Sequence, residues 1–138
     1  MKPRIAQCCC GKTKIQVKAN PVIHSVCNCN NCKQRTGSAF GISAYFYDED
    51  VKIIEDATSV YVLKNDLGEQ KRYFCHQCGT TLFWKASVFR GMTGIAGGCF
   101  TEDPLPQPTF NADLNNQCAW VSFPPEMNKP LTKDDLPT

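Results

Sequence analysis

The 138-residue chain has a formal charge of +2 at pH 7, with 42% hydrophobic and 20% charged residues. That supports one domain with its own core, and it excludes both a disordered chain and a membrane-spanning one. The basic residues Lys12, Lys14, Lys18, Lys33, Arg35, Lys71 and Arg72 are scattered and form no concentrated basic run, so nucleic acid is not an expected partner.

Taken in chain order, the pattern is mainly β. Lys12–Lys18 alternates, with Ile15 and Val17 on one face, as a half-buried strand does. Pro21 breaks it, and Val22–Val26 makes a second short strand. Asn30–Arg35 reads as a helical turn with Asn30 as its cap, ended by Thr36-Gly37. Phe40–Tyr47 and Ser59–Leu63 are strands rich in aromatic and β-branched residues. Asn65-Asp66-Leu67-Gly68 is a turn, and the strand after it delivers Tyr73-Phe74 to Cys75. Thr80–Trp84 opens another strand, and Met92–Cys99 follows. The glycines between Gly91 and Gly98 lack the lysine and following helix of a phosphate loop, and read instead as a strand softened for a close backbone approach. Thr101–Asn111, with Pro104, Pro106 and Pro108, is a loop, and Cys118–Phe123 is expected to be the final strand. Trp84, Phe83 and Trp120 are expected in the core.

Eight of the ten cysteines fall into three short clusters: Cys8-Cys9-Cys10-Gly11, Cys27-Asn28-Cys29-Asn30-Asn31-Cys32 and Cys75-His76-Gln77-Cys78-Gly79. Met1–Gln7 runs straight into the first of them with no apolar stretch, so the chain is expected to be cytoplasmic, where paired cysteines are metal ligands or catalytic thiols more often than disulfides. Cys8 and Cys10 with Cys75 and Cys78 make two thiolate pairs, each followed by glycine. Two such pairs complete one tetrahedral zinc site with a structural role.

Cys27, Cys29 and Cys32 offer three thiolates with no visible fourth ligand, the arrangement that leaves zinc an open position for chemistry. Lys33 and Arg35 follow at once and could offset the charge or hold an anionic ligand. A closed site completed by His24 or Cys99, and a redox trio, stand as alternatives. His24 and His76 are better read as non-catalytic, and Cys9, Cys99 and Cys118 as spare. Residues 1–123 are expected to form a single zinc-binding domain and 124–138 an extended C-terminal tail.

From Cys8-Cys9-Cys10-Gly11, through Cys27–Lys33 with Thr36-Gly37, to Phe74–Thr80, Phe83-Trp84 and Trp120, the chain resembles the glutathione-dependent formaldehyde-activating enzymes and the related centromere protein V group. The resemblance implies compact antiparallel sheets around a zinc knuckle, similar to methionine sulfoxide reductase B. It implies Cys8, Cys10, Cys75 and Cys78 as structural zinc ligands, and Cys27, Cys29 and Cys32 as the ligands of a catalytic zinc. It also implies a carbon–sulfur lyase-type reaction, in which the thiol of glutathione adds to formaldehyde. Two positions depart from the family pattern: Lys33 stands where arginine is usual, and Asn28 where histidine is frequent.

The leading expectation is therefore a zinc enzyme acting on glutathione or a similar small thiol and an aldehyde. A non-catalytic zinc module for macromolecular binding is the main rival, and a thiol redox protein using Cys29 and Cys32 is a third reading.

Overall fold

The computed structural model describes residues 1–137. Ten strands form two sheets: β1 (Arg4–Gln7), β2 (Lys14–Val17), β3 (Ile23–Cys27), β4 (Gly41–Tyr47), β5 (Val51–Glu55), β6 (Thr58–Asn65), β7 (Gly68–Cys75), β8 (Thr81–Ala86), β9 (Met92–Ala96) and β10 (Phe110–Ala112). One short helix, α1 (Asn30–Thr36), interrupts them between β3 and β4. The smaller sheet runs β1-β2-β5 and the larger β10-β3-β4-β9-β8-β7-β6. Neighbours pair antiparallel except β10, which lies parallel to β3 with Ala112 opposite Cys27. Among the described residues no helix is long and apolar enough to cross a membrane.

Alternation along β4 organises the interior, because successive side chains of a strand point to opposite faces. Ala44 and Phe46 join Ala6, Ile15, Val17, Leu82, Phe83, Ile95 and Phe100 in one buried cluster. Tyr45, one residue out of phase, packs with Ile23, Trp84, Met92 and Phe110 in a second. Phe83 and Trp84 divide between the same two clusters from β8. The central strands are thus covered on both faces, which is why their sequences read as apolar runs with little polar alternation.

Trp84 is wedged against β9. Gly94 lies opposite it in register, and a Cβ there would stand 2.1 Å from the indole Nε1. Only glycine admits that approach, and it gives the glycine-rich strand of the sequence its purpose.

Several expectations about elements change. Cys118–Phe123 is a turn and loop, because β10, formed by Phe110–Ala112 at the end of the proline-rich loop, occupies the sheet edge beside β3. Trp120, expected in the core, is 81% exposed. Met92–Cys99 holds the strand only to Ala96 and then closes in a 3-10 turn over Gly97–Cys99. The C-terminal residues contain short 3-10 turns at Pro125–Met127 and Lys133–Asp135. Leu131 and Leu136 pack against the cluster around Trp84, and Met127 is buried.

Candidate functional site

Two groups of thiols converge. Cys8 and Cys10 come from the loop between β1 and β2, Cys75 from the end of β7 and Cys78 from the turn that follows it, and all four sulfurs lie within 4.8 Å of one another. The two turns share a construction. Gly11 N–H donates to the Cys8 carbonyl at 3.1 Å, Gly79 N–H to the Cys75 carbonyl at 2.7 Å, and both glycines take positive φ, at 77° and 82°. A side chain at either position would be strained, so the glycine after each second cysteine is what lets the backbone fold round its sulfurs.

The Cys8–Cys10 and Cys10–Cys75 sulfurs stand 3.7 and 3.6 Å apart. Tetrahedral zinc with arms of about 2.3 Å requires sulfurs roughly 3.8 Å apart, so the donor set fits that ion. The Thr80 hydroxyl and backbone N–H hold the Cys78 thiol down at about 5. For Cys10, lowered by the Lys12 amide but raised by burial and the neighbouring sulfurs, the balance is upward, to about 12. The conflict between close thiols is what a divalent cation among them removes. Because β1–β2 and β7–β8 belong to different sheets, the four cysteines join the sheets at one end.

The second group sits at the junction of β3 and α1. Cys27 ends the strand, and Cys29 caps the helix, its Sγ accepting from Cys32 N–H at 3.3 Å. The cap expected at Asn30 is therefore a cysteine one residue earlier. Cys32 lies in the first turn, and the sulfurs of Cys27, Cys29 and Cys32 lie within 4.8 Å of one another. Neither His24 nor Cys99 joins them, and among the described residues the group has three ligands. Hydrogen bonds from the Cys27 and Cys32 thiols pull the Cys29 thiol down, with backbone N–H groups of Cys32 and Asn31 adding to the effect. Bonding to Cys29 and Cys32, and then burial, push Cys27 up. The three sulfurs form a soft donor set suited to zinc.

Helical spacing separates the two basic residues that follow. Arg35 is three residues beyond Cys32 and shares its face. Its guanidinium lies 4.5 Å from the centroid of the Trp84 ring and lines the same cavity as the three cysteines. Lys33 faces another way and donates from Nζ to the Asn116 carbonyl at 2.6 Å. The cavity, about 270 Å³, opens beside the three thiols and is walled by Tyr45, Trp84, Phe89 and Arg72 among others. Trp84 Nε1 donates to Tyr45 Oη at 3.0 Å, and burial pushes the Tyr45 phenol up to about 12, so it stays protonated.

A polar brace holds the cysteine loop from behind. Asn28, fully buried, donates from Nδ2 to Asn111 Oδ1 at 2.6 Å and to the Ala112 carbonyl at 2.9 Å. Asn116 Nδ2 donates to the Asn28 carbonyl at 2.8 Å and Asn30 Oδ1 at 2.9 Å. Asn111, Asn116 and Arg72 were not singled out by their sequence positions. The one signal was Asn111 and Asn116 themselves, polar residues dense in a segment that also carries apolar Phe110 and Ala112.

The sequence of residues 3–115 matches the family described as glutathione-dependent formaldehyde-activating enzyme. The chain belongs to that family. A Penicillium rubens protein named "Putative glutathione-dependent formaldehyde-activating enzyme" is 27% identical over 132 residues, 92% of this chain and 69% of that protein. Proteins of the same name from Aspergillus flavus and Aspergillus oryzae are each 27% identical over 108 residues. That stretch is 75% of this chain but spans only 56% of each Aspergillus protein. The crystal structure of a Rhodobacter sphaeroides protein shares the fold, with a TM-score of 0.57 at 20% identity over 70% of this chain and 87% of that one.

Proposed function

We propose that this member of the formaldehyde-activating family is a cytoplasmic, zinc-dependent, carbon–sulfur lyase-type enzyme. It activates glutathione or a similar small thiol for addition to formaldehyde or another aldehyde. The observation that carries the reading is the three-thiol group of Cys27, Cys29 and Cys32 opening onto a cavity, with no fourth protein ligand among the described residues. Cys8, Cys10, Cys75 and Cys78 hold the structural ion in this reading, and the trio holds the reactive one. Cys27, Cys29 and Cys32 would hold a zinc ion, which would supply Lewis acidity to lower the pKa of a thiol beside it.

The chain's own residues supply the rest. Arg35, on the cysteine face of α1 and fixed against Trp84, offers positive charge to an anionic group of the ligand in the cavity. The Tyr45 hydroxyl, neutral at physiological pH, accepts from Trp84 Nε1 and keeps its own hydrogen for the aldehyde oxygen. In the addition the thiol sulfur forms a bond to the carbonyl carbon, the C=O π pair moves to oxygen, and the proton released by the thiol ends there. Lys33, bonded to Asn116, is assigned to bracing the loop, and the ligand's carboxylate to Arg35.

Native mass spectrometry of reduced protein, before and after adding glutathione, tests this reading. Two zinc ions with a glutathione adduct that is lost in Cys32→Ala are expected, together with formation of S-hydroxymethylglutathione from ¹³C-formaldehyde by NMR. Two zinc ions with no adduct and no product would shift the weight to a non-catalytic zinc module. That rival draws on the exposed Val60, Tyr61 and Val62 of the edge strand β6.

A further inference from the structure

The cavity beside the three thiols contains two guanidinium groups. Arg72 projects from the middle of β7, is only 8% exposed, and donates from Nε to Gln70 Oε1 at 2.6 Å. Arg35 lines the cavity from α1, with its buried, unpartnered Nη2 turned toward Gly41 of β4. Neither forms an ion pair with Asp or Glu among the described residues. Glu69, the carboxylate in the lining, lies 3.9 Å from Lys64 instead. Burial lowers the Arg72 pKa, and the charge of Arg35 lowers it further, so the two cations repel across the cavity. Two like charges held in a partly dehydrated space, neither paired with a carboxylate among the described residues, form a receptor for an anion with paired oxygens.

The remaining wall is mainly apolar, with polar side chains at Ser25, Asn31, Ser43, Asn65, Glu69 and Gln70. Leu63 and Leu67 come from the β6–β7 hairpin, Val88 and Phe89 from the turn after β8, and Leu131 from the C-terminal segment. A one-carbon aldehyde would leave most of the space unfilled: about 270 Å³ corresponds to roughly nine waters at ~30 Å³ each.

We propose that this chamber takes an organic carboxylate with an apolar body. The carboxylate is held between Arg35 and Arg72, the body lies against Leu63, Leu67, Val88 and Leu131, and the reacting end faces Cys27, Cys29 and Cys32. The substrate is then a thiol, aldehyde or thiol–aldehyde adduct carrying an apolar group larger than one carbon. Only the identity of the reacting end rests on the thiol-activating reading; the anion site and apolar wall do not.

The test is binding of 3-phenylpropanoate, a thiol-free probe, to zinc-replete protein carrying Trp120→Phe, so that Trp84 is the remaining tryptophan and reports by fluorescence. Its neutral isostere 3-phenylpropanamide and the bodiless anion acetate serve as comparisons. The carboxylate is expected to alter Trp84 emission and to bind at least tenfold more tightly than either. Arg35→Gln should weaken the carboxylate tenfold or more without changing the amide, and Leu67→Ser, at the exposed hairpin tip, should weaken it about threefold. Circular dichroism of both variants checks that they fold. Equal binding of acid and amide, equal binding of acetate, or indifference to Arg35→Gln in the folded variant would each overturn the proposal. Glutathione binding without phenylpropanoate binding sinks this inference alone, whereas phenylpropanoate binding with no thiol chemistry sinks only the reading before it.

Discussion

The guanidinium of Arg35, on the helix that follows the cysteine loop, lies 4.5 Å from the ring centroid of Trp84 on β8, whose Nε1 donates in turn to Tyr45 Oη at 3.0 Å. The arginine is thereby tied to the centre of the larger sheet. A stacked cation of this kind contributes about 0.5–2 kcal/mol. Trp84→Phe keeps a ring but removes the donor and part of the volume, and should cost about 1–3 kcal/mol in urea unfolding. Tyr45→Phe removes the same hydrogen bond from the other side. The double variant should lose less than the sum of the singles, and strict additivity would mean the pair is not coupled.

Gly94→Ala tests the close approach beneath that indole. The added Cβ would stand 2.1 Å from Nε1, so the ring or β9 must move, at an expected cost of about 1–3 kcal/mol. In a Trp84→Phe background the penalty should shrink to a few tenths of that cost. An equal penalty in both backgrounds would place the clash elsewhere.

The two cysteine groups should fail differently. Cys78→Ala opens the site that joins the sheets and should lower Tm by about 10 °C or more. Cys32→Ala removes a ligand from the three-thiol group, and should lose one zinc per chain in native mass spectrometry while Tm moves only a few degrees. Equal collapse of both proteins would contradict a structural site and a separate reactive one.

Asn111 supports the cysteine loop through Asn28 from the parallel strand β10. Asn111→Leu conserves size but removes the acceptor of the Asn28 Nδ2 bond. Zinc affinity at the trio is expected to fall by about 10–100-fold in chelator competition, as it does when groups that orient metal ligands are removed. Zinc at Cys8, Cys10, Cys75 and Cys78 should be unaffected.

His24 gives a signed pH dependence. Burial alone lowers its pKa from the ordinary 6.5 to about 4, so the folded protein keeps it neutral where the unfolded chain protonates it. The unfolded state binds more protons between those values, and stability therefore rises with pH from about 4 to 6.5 and then levels off. The contribution is on the order of 1–3 kcal/mol. His24→Gln should flatten the stability–pH curve in that window relative to the parent protein. An unchanged slope would mean that His24 is not the group responsible.

What could be read from the chain alone was what is local in the chain. Each cysteine cluster is complete within six residues, with a glycine closing the two paired turns, so the four-ligand pairing, the trio and the family resemblance were all visible without a fold. The strand alternation of Lys14–Val17 and the helical turn before Gly37 were legible for the same reason. Tertiary structure decided the rest, because those features depend on partners far away in sequence. Arg72 is one more scattered cation until the sheet sets it in the cavity with Arg35. Lys33 and Arg35 look equivalent until the helix turns one to Asn116 and the other to Trp84. Trp120 looks like core, yet β10 has taken the sheet edge next to β3, and the tryptophan is left in solvent. Metal-ligand spacing is a property of a few consecutive residues; the shape and charge of the chamber beside them come from elements 40 to 100 residues away, which only packing brings together.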